Sequence, residues 1–585
     1  MFVNYFYLLK TTWKHAGEQR KSLVIAYTMM VFAYSLTMLK PLFLGLVINA
    51  IQVGGERMVG NIVLWLGLYA LIVPVFWLLH GSARVMEMRI GYFVLKDFQE
   101  TMYSTLAQKP LQWHRSHHSG DTIDRIKKAT RALKDFSEGN FDNISSAIEW
   151  IVSLIVFFLF APLFGFIALL FSLLMYQVIK AFDAKLTKGF EAINSIEHTT
   201  AATLHDYITN MFTVISLRLE KLTKGEISNQ LEKILPVLRP NSKWNELKWC
   251  TVDVLLIIMQ IIIIGIWVGM RLSSAETIML GTTAMLFQYL QRLNQVFFFM
   301  AGKMEQLVKQ GTDLNSVAMF VPEHIEIKDS HTRQTSWKTI HIQKLNFTYE
   351  DQEGEMQHLE DVAITLERGK RIALVGESGC GKSTLLTALR GLITPEQVEV
   401  LRDRNQATSL QSLATTATLI PQDPEIFDNT IAYNITAGLQ YEENNLLRVI
   451  DLACFSSVVR RLPKGIATSI RERGVNLSGG EKQRLALARG IFAAEHSQST
   501  LLLLDEPTSS VDPVNEGQIY NNLFTHFADL CIVSSIHRLH LLGMFDYIYV
   551  LVRGKIVEEG TFSLLRSKRN GVLVGMLEQY KESNS

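Results

Sequence analysis

Gly376-Glu377-Ser378-Gly379-Cys380-Gly381-Lys382-Ser383-Thr384 fits the pattern G-x-x-x-x-G-K-[ST], and about 120 residues further on Leu501-Leu502-Leu503-Leu504-Asp505-Glu506 is an apolar run closed by two carboxylates. Glycines reach backbone conformations closed to other residues, so the N–H groups of such a loop can turn inward around phosphate oxygens. Lys382 would then lie by the β- and γ-phosphates of ATP and Ser383 on its Mg2+. Asp505 would help hold the metal, and Gly376, Ser378, Gly379, Cys380, Gly381 and Thr384 complete the nucleotide-binding positions. Strand-like runs at Arg371 to Val375, Leu501 to Leu504 and Cys531 to Ser534, alternating with helical segments, predict an α/β core around this site.

The first half of the chain has a different composition. Leu23 to Leu39, Met58 to Leu79, Trp150 to Ile179 and Val254 to Met270 carry no charged residue, and Thr277 to Gln291 continues past Arg292 into another apolar stretch. These are membrane-crossing lengths. Lys10, Lys14, Arg20 and Lys21 precede the first run, which holds the N-terminus in the cytoplasm, and ATP requires the C-terminal domain there too. An even number of crossings follows. The long run from Trp150 to Ile179 is therefore a hairpin turned at Ala161-Pro162, which gives six spans, with basic cytoplasmic connections at Lys96 to Lys134 and Lys180 to Lys248. The domain boundaries expected are a membrane domain over 1–310, a linker over 311–336 and an ATPase domain over 337–585.

Between the phosphate loop and the carboxylate strand stands Leu477-Ser478-Gly479-Gly480-Glu481-Lys482-Gln483-Arg484, which resembles the signature motif of the ATP-binding cassette (ABC) family. Six spans fused ahead of one cassette are similar to an ABC exporter half-transporter, over nearly the whole chain. A hydroxyl and small-residue N–H groups ahead of a helix favour a phosphate. In the family Ser478, Gly479 and Gly480 would cap the ATP held by the opposite subunit. One chain then cannot complete a site, and a homodimer with two equivalent sites is the simplest assembly.

The resemblance assigns further positions. Tyr349, in Phe347-Thr348-Tyr349, matches the aromatic residue that stacks on adenine. Gln422, in Pro421-Gln422-Asp423, matches the glutamine that senses the γ-phosphate and joins Ser383 and Asp505 at the Mg2+. Glu506 is the candidate general base or water-positioning residue, since attack on a γ-phosphate needs an oriented water. Ser510-Val511-Asp512 matches the loop that crosses the dimer interface, and His537, in Ser535-Ile536-His537-Arg538, the switch histidine. Trp113 to Arg125 and Leu204 to Leu217 look like the two coupling regions.

The pattern is broken in places. Arg471 replaces a usual glycine before the signature, Glu481 stands where glutamine is frequent, and Pro507 where alanine is. Gly391 to Leu413 matches the usual strands poorly, so a reduced antiparallel subdomain is expected.

Cargo is the least constrained reading. Charges inside spans are expensive, and Lys40 lies within the first span while Arg292 interrupts the last. Gln288, Gln291, Arg292 and Gln295 fall at i, i+3, i+4 and i+7, on one helical face. Such a face lines a polar pathway or bonds a neighbouring helix, with Asp253 or Glu149 as partners for Arg292. Cationic and amide groups suit an anionic or polyhydroxylated cargo, and Arg292-Leu293-Asn294-Gln295 and Lys109-Pro110-Leu111-Gln112-Trp113-His114 resemble segments of bacterial cyclic β-glucan exporters. Glycan export, lipid flipping and efflux of amphipathic drugs all fit a protein of the bacterial cytoplasmic membrane. The rival from another class is an ATP-gated channel or regulator on the same fold, which an intact Glu506 disfavours.

The 585 residues are 48% hydrophobic with a formal net charge of +1, which gives no reason to invoke nucleic acid. The four cysteines, Cys250, Cys380, Cys454 and Cys531, form no paired spacing, and the three in the ATPase domain are expected to stay reduced. No histidine besides His537 has ligand or catalytic spacing, so no metal beyond nucleotide-bound Mg2+ is expected.

Overall fold

The computed structural model describes residues 2–117, 119–273, 277–320, 337–350, 356–403, 406–423, 425–470 and 477–583. The chain divides into a helical unit over most of the first 325 residues and an α/β unit over the rest.

The helical unit runs α1 (Phe2–His15), α2 (Arg20–Thr37), α3 (Lys40–Val53), α4 (Met58–Ala107), α5 (Leu111–Ser116), α6 (Ser119–Phe160), α7 (Pro162–Thr209), α8 (Met211–Ser216), α9 (Glu220–Glu232), α10 (Leu235–Ser273) and α11 (Leu280–Asn315). Among the described residues, five stretches are long and apolar enough to cross a membrane: Gly17–Val53, Met58–Ala107, Ser119–Phe160, Pro162–Thr209 and Glu220–Ser273. Helix α11, expected from the sequence to be the sixth span, is not among them: its 36 residues are long enough, but its amides and Arg292 lower its hydropathy. At about 1.5 Å per residue the 50 residues of α4 span roughly 75 Å, far beyond a hydrocarbon layer of about 30 Å. The excess length projects out of the bilayer.

The long apolar run is a hairpin. Helix α6 ends at Phe160, Ala161 is extended (φ −160°, ψ 133°), and Pro162 opens α7, where a missing N–H costs nothing. Pro41 acts alike in the first turn of α3, so Lys40 sits at the α2–α3 joint inside one apolar stretch. Helix α11 continues to Asn315, into the segment read as linker, and 321–336 lies outside the described residues.

Helices α6, α7, α10 and α11 share a core built on Phe157, Phe164, Met175, Trp267, Leu290 and Leu293. Helices α3 and α11 approach more closely than side chains allow: a Cβ on Gly281 would lie 2.0 Å from the Gly45 carbonyl oxygen. Asn49 seals that contact, donating from Nδ2 to Thr282 Oγ1 (2.9 Å) and accepting from Thr282 N (3.2 Å). Lys248 on α10 is fully buried; its Nζ donates to Ala301 O on α11 (2.9 Å) and to Asp183 Oδ1 on α7 (3.3 Å). One ammonium thus ties three helices.

The α/β unit contains β1 (Thr339–Glu350), β2 (Met356–Glu367), β3 (Arg371–Val375), β4 (Gln397–Arg402), β5 (Gln406–Thr408), β6 (Ala417–Ile420), β7 (Asn429–Thr430), β8 (Ser469–Ile470), β9 (Leu501–Asp505), β10 (Cys531–Ser535), β11 (Tyr547–Val552) and β12 (Lys555–Gly560). A six-stranded sheet has the order β12-β11-β3-β10-β9-β6, parallel except for the edge strand β12. Leu501 to Leu504 are fully buried, as a strand covered on both faces must be.

A four-stranded antiparallel sheet, β2-β1-β4-β5, stands beside it. Here the expectation of a reduced subdomain is corrected, because Gly391 to Leu413 supplies both β4 and β5. Val398 and Val400 face inward and Gln397 and Glu399 outward, a short period-2 pattern sufficient to continue the sheet from β1.

Candidate active site

The phosphate-loop motif lies between β3 and the helix Lys382–Leu389. Gly381 caps that helix at φ 106°, a conformation that excludes a Cβ. A Cβ on Gly376 would meet Leu551 O at 2.4 Å and Cys380 Sγ at 2.5 Å, so the loop closes tightly on the sheet. Lys382, 5% exposed, donates from Nζ to Gly376 O (2.8 Å) and Glu377 O (3.0 Å), which arches the ammonium over the loop. The charge is thereby held within a ring of backbone at the start of a helix, a setting that fits phosphate.

At the ends of β9 and β10 the sheet brings the candidate catalytic groups together. Ser383 Oγ donates to Asp505 Oδ1 (3.0 Å), and Ser535 Oγ donates to the same oxygen (2.8 Å). Paired hydroxyl and carboxylate oxygens are the hard donors Mg2+ takes, so the residues fit the ion. Glu506 follows with φ 43°, left-handed for a residue with a side chain, and its N–H donates to Ser535 Oγ (2.8 Å). Gln422 Nε2 donates to Glu506 Oε2 (3.3 Å). Gln422 therefore contacts the candidate base and not the Ser383–Asp505 pair. His537 is exposed and shares with Glu506 a cavity of about 250 Å3.

Ser535 carries no catalytic signal in the sequence, yet it holds Asp505 and the Glu506 backbone at once. The only hint is its position two residues before His537, at the end of an apolar strand.

The signature segment begins a helix. Ser478 caps Gly479–His496 (φ −65°, ψ 164°) in a reciprocal pair: Glu481 N donates to Ser478 Oγ (3.3 Å) and Ser478 N to Glu481 Oε2 (2.9 Å). That explains Glu481, since an acid at this position closes the capping box. Burial pushes the Glu481 carboxyl up, but the Ser478 N–H and Arg461, which hydrogen-bonds it, outweigh that and hold it below the usual range. A Cβ on Gly480 would lie 2.5 Å from Ser510 O, and Gln483 donates from Nε2 to Ser509 Oγ (2.7 Å) while its Oε1 accepts from Ser510 N (2.8 Å). The signature helix and the Ser510-Val511-Asp512 loop thus form one piece, although nothing in the motif assigned Gln483.

Other positions fall less favourably. Tyr349 pairs with Gln357 across β1 and β2, but its side chain lies outside the described residues, as does Arg471. Cys380 is 6% exposed with its Sγ 3.9 Å from Lys382 Nζ, so the P-loop thiol is covered by the loop.

In the helical unit Gln291 and Gln295 are exposed and Gln288 and Arg292 half-buried, on the side of α11 away from buried Tyr289, Leu290 and Leu293. Arg292 NH1 reaches Glu149 Oε1 on α6 at 3.4 Å, so its charge is paired with one of the two partners considered from sequence. Lys40 is half-buried. Helix α8, in the segment read from sequence as the second coupling region, exposes Met211, Ile215 and above all Phe212, at 86%.

Known proteins are similar over nearly the whole chain. The ABC transporter transmembrane-region model matches residues 23–295, and the ABC transporter model matches 359–509. An ATP-dependent lipid A-core flippase of Idiomarina loihiensis is 26% identical over 578 residues, 95% of this chain and 96% of the flippase. A Staphylococcus aureus ATP-binding/permease protein named for multidrug export is 28% identical over 485 residues, 81% of this chain and 82% of that protein. Among solved structures, a bacterial Atm1-family ABC exporter with ATP bound superposes with a TM-score of 0.84 at 23% identity, over 96% of this chain and 98% of the exporter, a likeness of fold.

The chain belongs to the ABC transporter family, with the membrane region and the ATP-binding ATPase domain of an exporter half joined in one polypeptide. It is an integral membrane protein whose ATP hydrolysis drives transport.

Proposed function

We propose that two copies of this chain form an ATP-driven exporter or flippase of the bacterial cytoplasmic membrane, with both termini and the ATPase domains in the cytoplasm. The observation that carries the reading is the set Ser383, Asp505, Ser535, Glu506 and Gln422, joined by hydrogen bonds at the ends of adjacent strands. It supports hydrolysis of Mg-ATP with Glu506 orienting the attacking water and Asp505 and Ser383 holding the ion. The Lys382 ammonium steadies charge on the transferred phosphoryl group, and His537 reaches the same region. Tyr349 is assigned to adenine.

The signature residues Ser478, Gly479 and Gly480 act on the ATP of the second copy, so closing two cassettes around two ATP is the power stroke. The exposed apolar face of α8 suits docking on a cassette and passing that movement to the membrane helices. Gln288, Gln291 and Gln295, with Lys40, are the pathway candidates. Pairing of Arg292 with Glu149 lowers the net positive charge of that face, and the flippase and multidrug names among the relatives favour a lipid or amphipathic cargo over a free glycan. ATP-dependent movement of fluorescent phospholipid in vesicles carrying the purified chain tests this. Wild-type movement abolished by Glu506→Gln supports it; equal movement in both refutes it.

A further inference from the structure

The signature helix Gly479–His496 carries one buried amide to which no motif assigns a task. Gln483, 6% exposed, is bound at both ends of that amide: Oε1 accepts from Ser510 N (2.8 Å), and Nε2 donates to Ser509 Oγ (2.7 Å) and, at a longer 3.5 Å, to Gln422 O. Gln422 in turn reaches Glu506 Oε2 (3.3 Å). A side-chain amide supplies donor and acceptor together; a carboxylate lacks the first, and a thioether replaces neither. The loop, the signature helix and the residues around the candidate base are thus joined through one side chain.

The far side of the loop is fixed as well. Arg538, next to His537, donates from NH1 to Val511 O (2.9 Å) and Glu516 Oε2 (3.0 Å), and from NH2 to Ser509 O (3.2 Å). Glu516, 3% exposed, also accepts from Thr508 Oγ1 (2.7 Å). Residues 508–511 are held on both sides, so they have little freedom to absorb a displacement of the signature helix. Stiff hydrogen-bonded chains of this kind carry energetic coupling between sites.

We propose that Gln483 is a positioning residue that links the two ATP sites of the dimer. When the signature closes on the ATP of the second copy, Gln483 carries the movement of its helix to residues 509–510 and to the Gln422 backbone. Gln422 then sets Glu506 for hydrolysis of the chain's own ATP. The inference rests on the two-copy reading above and deepens it, by assigning the link to one amide.

ATP hydrolysis by the full chain in nanodiscs, followed across ATP concentrations, tests it, with the thermal transition as a folding control. Wild type should show a Hill coefficient of about 1.5–2, since two sites set the ceiling. Gln483→Met keeps the side-chain length and loses every bond of the amide; its Hill coefficient should fall to about 1 and half-saturation should rise roughly 3- to 10-fold, the worth of one or two hydrogen bonds. Ser509→Ala, at an exposed hydroxyl, should move both values the same way by less. A merely structural role would lower the maximal rate and leave the Hill coefficient where it was. A cooperative wild type with an equally cooperative, folded Gln483→Met therefore overturns the proposal alone, and if Gln483→Met fails to fold, an unchanged Hill coefficient in Ser509→Ala overturns it instead. A wild-type Hill coefficient of about 1 overturns the coupling of two sites together with the proposal.

Discussion

Removing the Ser535 hydroxyl ends both tasks that this buried side chain performs. Its Oγ donates to Asp505 Oδ1 at 2.8 Å and accepts the Glu506 N–H at 2.8 Å, and the residue is 1% exposed. Ser535→Ala leaves that N–H without this partner, at a cost of about 1–3 kcal/mol. Glu506 is already held at φ 43°, a conformation that costs a non-glycine residue about 1–2 kcal/mol, so the lost bond removes a constraint keeping its carboxylate in place. With about 1.4 kcal/mol per factor of ten, kcat for ATP hydrolysis should fall roughly 5- to 100-fold. The KM for ATP should stay within about threefold, because Lys382 and the loop glycines are untouched. Phosphate release by the purified protein, with its thermal transition as a folding control, measures both. Ser535→Thr keeps the hydroxyl and should recover most of the rate. A kcat for Ser535→Ala within about twofold of wild type would refute the reasoning, since Glu506 would then be oriented without Ser535.

Three further outcomes follow from other parts of the molecule. Lys248→Met removes the hydrogen bonds from α10 to Asp183 Oδ1 and the Ala301 carbonyl and should cost about 1–3 kcal/mol, read as a lower melting temperature in nanodiscs. Because the Glu481 carboxyl is held below its ordinary pKa of 4.5 in the fold, its contribution is fully present above that value and lost as pH falls through the lower folded value; wild type should therefore lose more thermal stability on acidification than Glu481→Gln. Phe212→Glu, at an 86% exposed position, should abolish transport while ATP hydrolysis stays within about threefold of wild type, a split measured by running both assays on the same vesicles.

Much of this was legible in the residues because the constraints are local. A phosphate loop needs its glycines at fixed places, and Gly381 does take a left-handed backbone. The hairpin at Ala161-Pro162 could be deduced because charge asymmetry demanded an even number of crossings. What escaped depends on three-dimensional register. Ser535 matters because β10 lies beside β9 with Ser535 opposite Asp505, a pairing no sequence spacing states. Glu481 looked like a departure until the capping box gave it a partner three residues back. The antiparallel strands in Gly391 to Leu413 were missed because Val398 and Val400 are too short a pattern to stand out without β1 alongside. For Arg292 the sequence offered Glu149 or Asp253 as a partner, and only the fold chooses Glu149, 143 residues away in the chain.

The most direct test of the central claim is ATP-dependent uptake of cell-extract compounds into inside-out membrane vesicles, read by mass spectrometry, for wild type against Glu506→Gln. The account predicts a class of compounds, amphipathic or lipid-like, enriched only by wild type and only with Mg-ATP. Active wild-type hydrolysis without any enrichment, and without lipid movement between leaflets, would contradict it.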